Sequence, residues 1–195
     1  NLHYPQFKIT RLERKDFLSE TFNNKIDKRD IIFHLAGINR SEDIKQVYHQ
    51  NQKLNSDLSK HLVKIKFNGT LFFSSSTQEE KETLYGQVKK EARIQFQKDS
   101  KTCGFKFYFL KIPNVFGPFC KPYYNSFIAT FSEQLINNKN PKILKDDQVF
   151  VVYVDNLIKS ILKILKEEHP DLQLDQIHQL KVSTILDKLL YFKEG

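Results

Sequence analysis

The sequence predicts an α/β fold, a doubly wound and mostly parallel sheet with helices on both faces and a small additional C-terminal part. Three observations predict it. Short buried apolar runs alternate with long amphipathic ones, the segments joining them are short, and the 195 residues suit a single domain spanning 1–195. Alternating strands and helices with short connections are the signature of a parallel sheet covered on both sides.

The elements follow in order. An apolar run at 8–12 predicts a first strand and 16–23 a helix, and IIFHL at 31–35, after the charged turn KIDKRD, predicts a short buried strand. From 41 to 66, Ile44, Val47, Asn51, Leu54, Leu58 and Leu62 recur at helical spacing, with Ser41 as the expected N-cap. Asn51 is the polar member of that stripe, so it must satisfy a neighbouring loop or meet a ligand. Asn68-Gly69 signals a turn, 70–74 a strand and 83–98 a helix with Tyr85, Val88, Lys89, Ala92 and Phe96 on one side. A strand at 105–112 ends at Pro113, and a loop rich in Pro, Phe and Tyr runs to Tyr124. A helix at 125–137, a strand at 149–154, a helix at 156–166 capped by Asp155, and a last helix at 184–192 complete the order.

Composition narrows the classes. Hydrophobic residues at 39% and charged residues at 28%, with six Gly and six Pro, exclude collagenous, low-complexity and disordered chains. No run approaches the roughly eighteen apolar residues of a membrane span and the first residues carry no signal-peptide core, so a cytoplasmic protein without membrane partners is expected. Cys103 and Cys120 show no metal-ligand spacing, nor do the six histidines, and no metal is expected. The net charge of +8 comes from 31 basic residues of which only Arg11, Arg14, Arg29, Arg40 and Arg93 are arginines. They are interleaved with 23 acids along the whole chain, which is a solvated surface rather than a nucleic-acid face. Methionine is absent, position 1 included, and a fragment or processed chain is the expectation.

In parallel sheets ligands sit beyond the carboxyl ends of the strands, so three strand ends carry the search for chemistry. The first reads His34-Leu35-Ala36-Gly37-Ile38-Asn39-Arg40, where Ala36 and Gly37 let a flat ligand approach the backbone and Arg40 could meet a phosphate. The second reads Phe73-Ser74-Ser75-Ser76-Thr77-Gln78, followed by Tyr85-Gly86-Gln87-Val88-Lys89. Tyr and Lys four apart share a helix face, and an ammonium near a phenol favours the phenolate and lowers its pKa. Serine runs are common turn material and Tyr-x-x-x-Lys is common in helices; their succession after a buried strand is what points to acid-base chemistry. The third strand end is Ile112-Pro113-Asn114.

The series HLAGINR, Asn51 on its helix, FFSSSTQ, YGQVK and IPNVFGP resembles the extended short-chain dehydrogenase/reductases, the NAD-dependent epimerase/dehydratases of nucleotide sugars. SSSTQEEKETLYG with PNVFGPFCKPYYNSFIATF is similar, more narrowly, to reductases of the UDP-N-acetyl-fucosamine pathway in capsular polysaccharide and O-antigen biosynthesis. The resemblance implies a Rossmann-like domain, with 113–195 contributing the substrate-binding part. It makes Tyr85 the acid-base residue, Lys89 its pKa partner and ribose contact, and Ser76 the catalytic hydroxyl, with the choice among Ser74, Ser75 and Ser76 open by one position. Leu35, Ala36, Gly37, Asn51, Ser74, Tyr85, Lys89 and Pro113 would line the dinucleotide site. Arg40, Asn114, Tyr123, Tyr124 and Asn125 would face the UDP-sugar.

The resemblance also implies departures. The family's first strand and Gly-x-x-Gly-x-x-Gly loop are expected before Asn1, and relatives often continue into a cupin-like domain, so truncation at both ends is expected. Val88 stands where many relatives have Ser. Dehydratases carry an Asp-Glu pair where this chain has Thr77 and Gln78, which argues against water elimination. The expected reaction is reduction of the C4 ketone of a UDP-linked 2-acetamido-6-deoxy-4-ketohexose. A C4 epimerase and a non-catalytic dinucleotide sensor or scaffold are the alternatives. NADPH or NADH is the implied cofactor, and Arg14-Lys15 hints at the 2′-phosphate of NADPH. A homodimer is the assembly considered, with no interface assigned.

Overall fold

The computed structural model describes residues 7–13, 16, 22–26, 30–38, 43–80, 82–167 and 174–194. The expected Ser41 cap and the Arg14-Lys15 pair lie outside them. Residues 7–13 form no strand, contrary to the expectation at 8–12. Leu12 packs against the core of the first unit, but Ile9 is 72% exposed and the run pairs with no strand among the described residues. The described residues fall into two compact units, 1–73 with 91–108, and 74–90 with 109–195.

In the first unit, α1 (Phe22–Ile26) precedes β1 (Ile31–His34), which pairs in parallel with β2 (Thr70–Ser76) from Ile31 opposite Thr70 to His34 opposite Phe73. Between them runs α2 (Ile44–Lys64). Its cap is Asp43, whose carboxylate accepts from the N–H groups of Lys45 at 2.9 Å and Gln46 at 3.2 Å. Lys66, at φ 51°, closes the helix before Gly69. β2 is the middle strand of the order β1-β2-β3, with β3 spanning Lys106–Ile112. Leu71, Phe72 and Phe73 are all fully buried, as a strand covered on both faces requires. The core joins Phe22 and Ile26 of α1, Leu58 and Leu62 of α2, Leu71 and Phe73, and Phe96 and Phe105.

The inward stripe of α2 differs from the expected one. Ile44 is exposed, whereas Asn55 and Ser59 are buried beside Asn51. Each has a partner. Asn55 Oδ1 pairs with His34 Nε2 at 2.9 Å, and Ser59 donates to the buried Asp99 at 2.6 Å. Polar positions invisible to an apolar-periodicity count are inward here because another buried group meets them.

The second unit holds a three-stranded sheet, β4 (Asn114–Phe116), β5 (Gln148–Tyr153) and β6 (His178–Lys181). β4 pairs parallel with β5, Val115 opposite Val152, and β6 pairs antiparallel with β5, Leu180 opposite Val149. The expected parallel pattern therefore gains one antiparallel edge. Helix α3 (Leu84–Cys103) precedes β3, and α4 (Phe127–Ile136) is capped by Ser126, whose hydroxyl accepts from Ala129 N–H at 3.2 Å. α5 (Val154–Glu167) starts directly after β5, so Asp155 sits in its first turn rather than capping it. A carboxylate there still complements the helix dipole. α6 (Val182–Glu194) is held by Asp146, which accepts from the Ser183 N–H and hydroxyl at 2.8 and 2.9 Å. Ile128, Val151 and Ile185 form the unit's small core. Among the described residues no helix is long and apolar enough to cross a membrane.

Candidate functional site

The carboxyl end of β2 supplies Ser74, Ser75 and Ser76, and strand alternation sends them to opposite faces. Ser75 is buried and its hydroxyl donates to Glu79, while Ser74 and Ser76 are half-buried. The Ser76 hydroxyl accepts from the Gln78 N–H at 3.2 Å, tightening the 3-10 turn over Thr77–Glu80 that follows. Thr83 then opens α3, its hydroxyl accepting from Gly86 N–H at 3.0 Å.

On the first turns of α3, Tyr85 and Lys89 share a face as their spacing predicted, with Lys89 Nζ 5.8 Å from the centre of the Tyr85 ring. Lys89 is buried at 3% exposure, and its ammonium donates to the Ser74 carbonyl at 2.8 Å. Burial pushes the Lys89 pKa down to about 8, against the opposing charge of Glu79. The Tyr85 phenol is pushed up by burial. The phenol is therefore shifted opposite to the expected lowering, with desolvation as the cause. The arrangement presents a neutral phenol able to donate a proton, beside a lysine whose pKa burial lowers to about 8.

Glu79 was not singled out from the sequence. Its signal was available, an acid four residues beyond Ser75, but the turn between them conceals that the chain folds it inward.

The first unit holds the expected residues that follow β1. Leu35, Ala36 and Gly37 are exposed. Asn51, buried at 2%, accepts from the Ile38 N–H at 2.9 Å and donates to the Ile38 carbonyl at 2.6 Å and the Val47 carbonyl at 2.9 Å. Of the two roles open to it, the structure assigns the first: its amide is taken up by the loop. Arg40 lies outside the described residues.

The remaining expected residues belong to the second unit. Pro113 is buried between β3 and β4. Asn114 is exposed, and its amide donates to the Phe150 carbonyl at 3.0 Å, which ties β4 to β5. Tyr123 and Tyr124 are exposed at 61% and 58%, and Asn125 is exposed in the turn before the Ser126 cap. Tyr123 adopts φ 56°, held by its N–H bond to Thr130 Oγ1 at 2.9 Å.

The family described as NAD dependent epimerase/dehydratase matches residues 6–174. UDP-2-acetamido-2,6-beta-L-arabino-hexul-4-ose reductase of Pseudomonas aeruginosa is 30% identical over 173 residues, covering 85% of this chain and 46% of that protein. The capsular polysaccharide assembling protein CapF of Staphylococcus aureus superposes with a TM-score of 0.75 at 24% identity, covering 90% of this chain and 48% of that one. UDP-glucuronic acid 4-epimerase of Bacillus cereus, in complex with UDP-glucuronic acid and NAD, superposes with a TM-score of 0.78 at 16% identity, covering 93% and 65%. The α/β fold is thus shared with these structures. The chain spans about half the length of the first two proteins.

Proposed function

Because the chain belongs to the NAD dependent epimerase/dehydratase family, we propose that it carries the acid-base machinery of an NAD(P)-dependent nucleotide-sugar reductase. Its substrate in this reading is a UDP-linked 2-acetamido-6-deoxy-4-ketohexose, reduced at C4 for capsular polysaccharide or O-antigen biosynthesis in the cytoplasm. The observation that carries the reading is the anchoring of the buried Lys89 ammonium on the Ser74 carbonyl, one helical turn after Tyr85. The 30% identity to a hexul-4-ose reductase supports it.

The residues fit a dinucleotide. The exposed Leu35-Ala36-Gly37 segment offers backbone and small side chains to a flat ligand, and Asn51 fixes its far end through Ile38. The bound nicotinamide would supply the hydride that reduces C4. Tyr85 donates the proton to the C4 oxygen, a task suited to a phenol that burial keeps neutral. Lys89 steadies Tyr85 and the ribose hydroxyls, Ser76 orients the ketone oxygen, and residues 113–195, with Asn114, Tyr123, Tyr124 and Asn125, form the sugar-binding part. NADPH is the proposed coenzyme and a homodimer the proposed assembly.

C4 epimerisation is the second reading, supported by the likeness of the fold to UDP-sugar 4-epimerases. Thr77 and Gln78, both exposed, supply no acid-base pair for dehydration. The purified protein incubated with the UDP-4-ketosugar and NADPH, and separately with a C4-hydroxyl UDP-sugar and catalytic NAD(P)⁺, separates the readings. Net oxidation of coenzyme in the first and no interconversion in the second is expected of a reductase, and interconversion of C4 epimers in the second without net coenzyme turnover would establish the epimerase. Tyr85→Phe is expected to lose roughly 10²–10⁴-fold in turnover with substrate binding retained; full activity in that variant would overturn the assignment.

A further inference from the structure

The proposed reaction uses Tyr85, Lys89 and a serine, and leaves one buried charged group at the same strand end without a task. Glu79 is 8% exposed, whereas Thr77, Gln78 and Glu80, its companions in the 3-10 turn, face solvent. A carboxylate turned inward from an otherwise solvated turn needs a reason, because burying a charge without a partner is costly. One contact to it lies on β2. The Ser75 hydroxyl, itself buried, donates to Glu79 Oε1. On the adjacent residue, the Ser74 carbonyl accepts from Lys89 Nζ at 2.8 Å. Consecutive residues of β2 therefore anchor a buried carboxylate and a buried ammonium of opposite charge.

Building on the functional reading above, we propose that Glu79 is a positioning residue for Lys89. Its carboxylate, tied to β2 through the Ser75 hydroxyl, holds the ammonium against the Ser74 carbonyl one helical turn after Tyr85.

The electrostatics agree with that geometry. Burial alone drives Lys89 toward the neutral form, and the charge of Glu79 is what opposes it. Glu79 from the turn, the Ser74 carbonyl from β2 and the Tyr85 ring from its own helix are among the groups that face Lys89. Glu80, the other acid of the turn, is engaged at the surface by Lys111 at 2.7 Å. Thr77 and Gln78 stand at the acid-pair positions of dehydratases; Glu79 is one residue beyond and serves the lysine instead of the sugar.

The test reads Lys89 directly and requires no turnover. Protein labelled with carbon-13 lysine is titrated by NMR, and the Lys89 side-chain signal is assigned by its loss in Lys89→Arg. The expected midpoint is near 8 in the native protein and measurably lower in Glu79→Gln. Glu79→Asp, which retains the charge, is expected to lie nearer the native value than the Gln variant does. A folded Glu79→Gln with an unchanged midpoint would overturn the proposal. Should that variant fail to fold, Ser75→Ala removes the tether and leaves the charge. A lowered midpoint supports the role, and an unchanged one rejects it. Failure of the protein to reduce any ketosugar would strike the functional reading, while the Lys89 titration stands or falls by itself.

Discussion

Asn51, in the middle of α2, closes both backbone groups of Ile38: its Oδ1 accepts from the N–H at 2.9 Å and its Nδ2 donates to the carbonyl at 2.6 Å. One amide side chain thereby does for the loop after β1 what a paired strand would do. Asn51→Leu removes both partners and leaves the Val47 carbonyl with one donor fewer. Urea unfolding is expected to show a loss of about 1–3 kcal/mol. Hydrogen exchange at Ile38 should accelerate in this variant. In Asn51→Asp, which retains the acceptor, the Ile38 N–H should stay protected.

Lys89 makes stability rise on the alkaline side. Below about pH 8 the folded and unfolded chains both hold the lysine proton, so the full cost of the buried ammonium is present. Between about 8 and 10.5 the unfolded chain binds more protons, and unfolding free energy increases with pH by up to about 3 kcal/mol. From about pH 10 upward Tyr85 acts in the opposite sense, since its raised pKa lets the unfolded phenol ionise first. Denaturant melts of native protein and Lys89→Met across this range should show the rise in the first and a flatter profile in the second.

Gly69 tolerates no side chain. A Cβ there would strike the Asp30 carbonyl oxygen and lie 2.7 Å from the Phe67 ring. That carbonyl already accepts from Thr70 N–H at 2.8 Å, and the Gly69 carbonyl accepts from Lys106 N–H at 2.9 Å, so the backbone is fixed on both sides. Gly69→Ala is expected to cost about 1–3 kcal/mol, read as a lowered thermal midpoint.

Asp99 joins Ser59 at 2.6 Å and Gln95 at 2.8 Å inside the first unit. A double-mutant cycle of Ser59→Ala and Asp99→Ala should give a coupling of about 0.5–3 kcal/mol. Additive losses would mean that the two groups are buried independently.

How much of this could be read in the sequence depends on length and pattern. The helices at α2 and α3 and the strands β2, β3 and β5 announce themselves by long apolar patterns. β4 is three residues long and follows a proline, and β6, His178–Lys181, is mostly polar at an edge, so neither leaves a periodic trace. The Tyr85–Lys89 juxtaposition is local and was legible because one helical turn fixes it. The direction of the Tyr85 shift was not, because it depends on burial that tertiary packing decides. Asn51 was legible as an anomaly on an apolar face, and only the loop geometry tells which of its two options it takes.

β5 carries a kinetic consequence. Its neighbours in the sheet are distant in the chain on both sides: Asn114 reaches Phe150 across 36 residues, and Gln179 reaches Gln148 across 31. No hairpin can nucleate this sheet, so two long chain closures must precede any ladder, and their entropy sets the folding barrier. Val152, fully buried on β5 and paired with Val115 of β4, is expected to join the nucleus that those closures assemble. Truncating it would therefore act chiefly by slowing refolding, and would leave the lifetime of the folded sheet comparatively untouched.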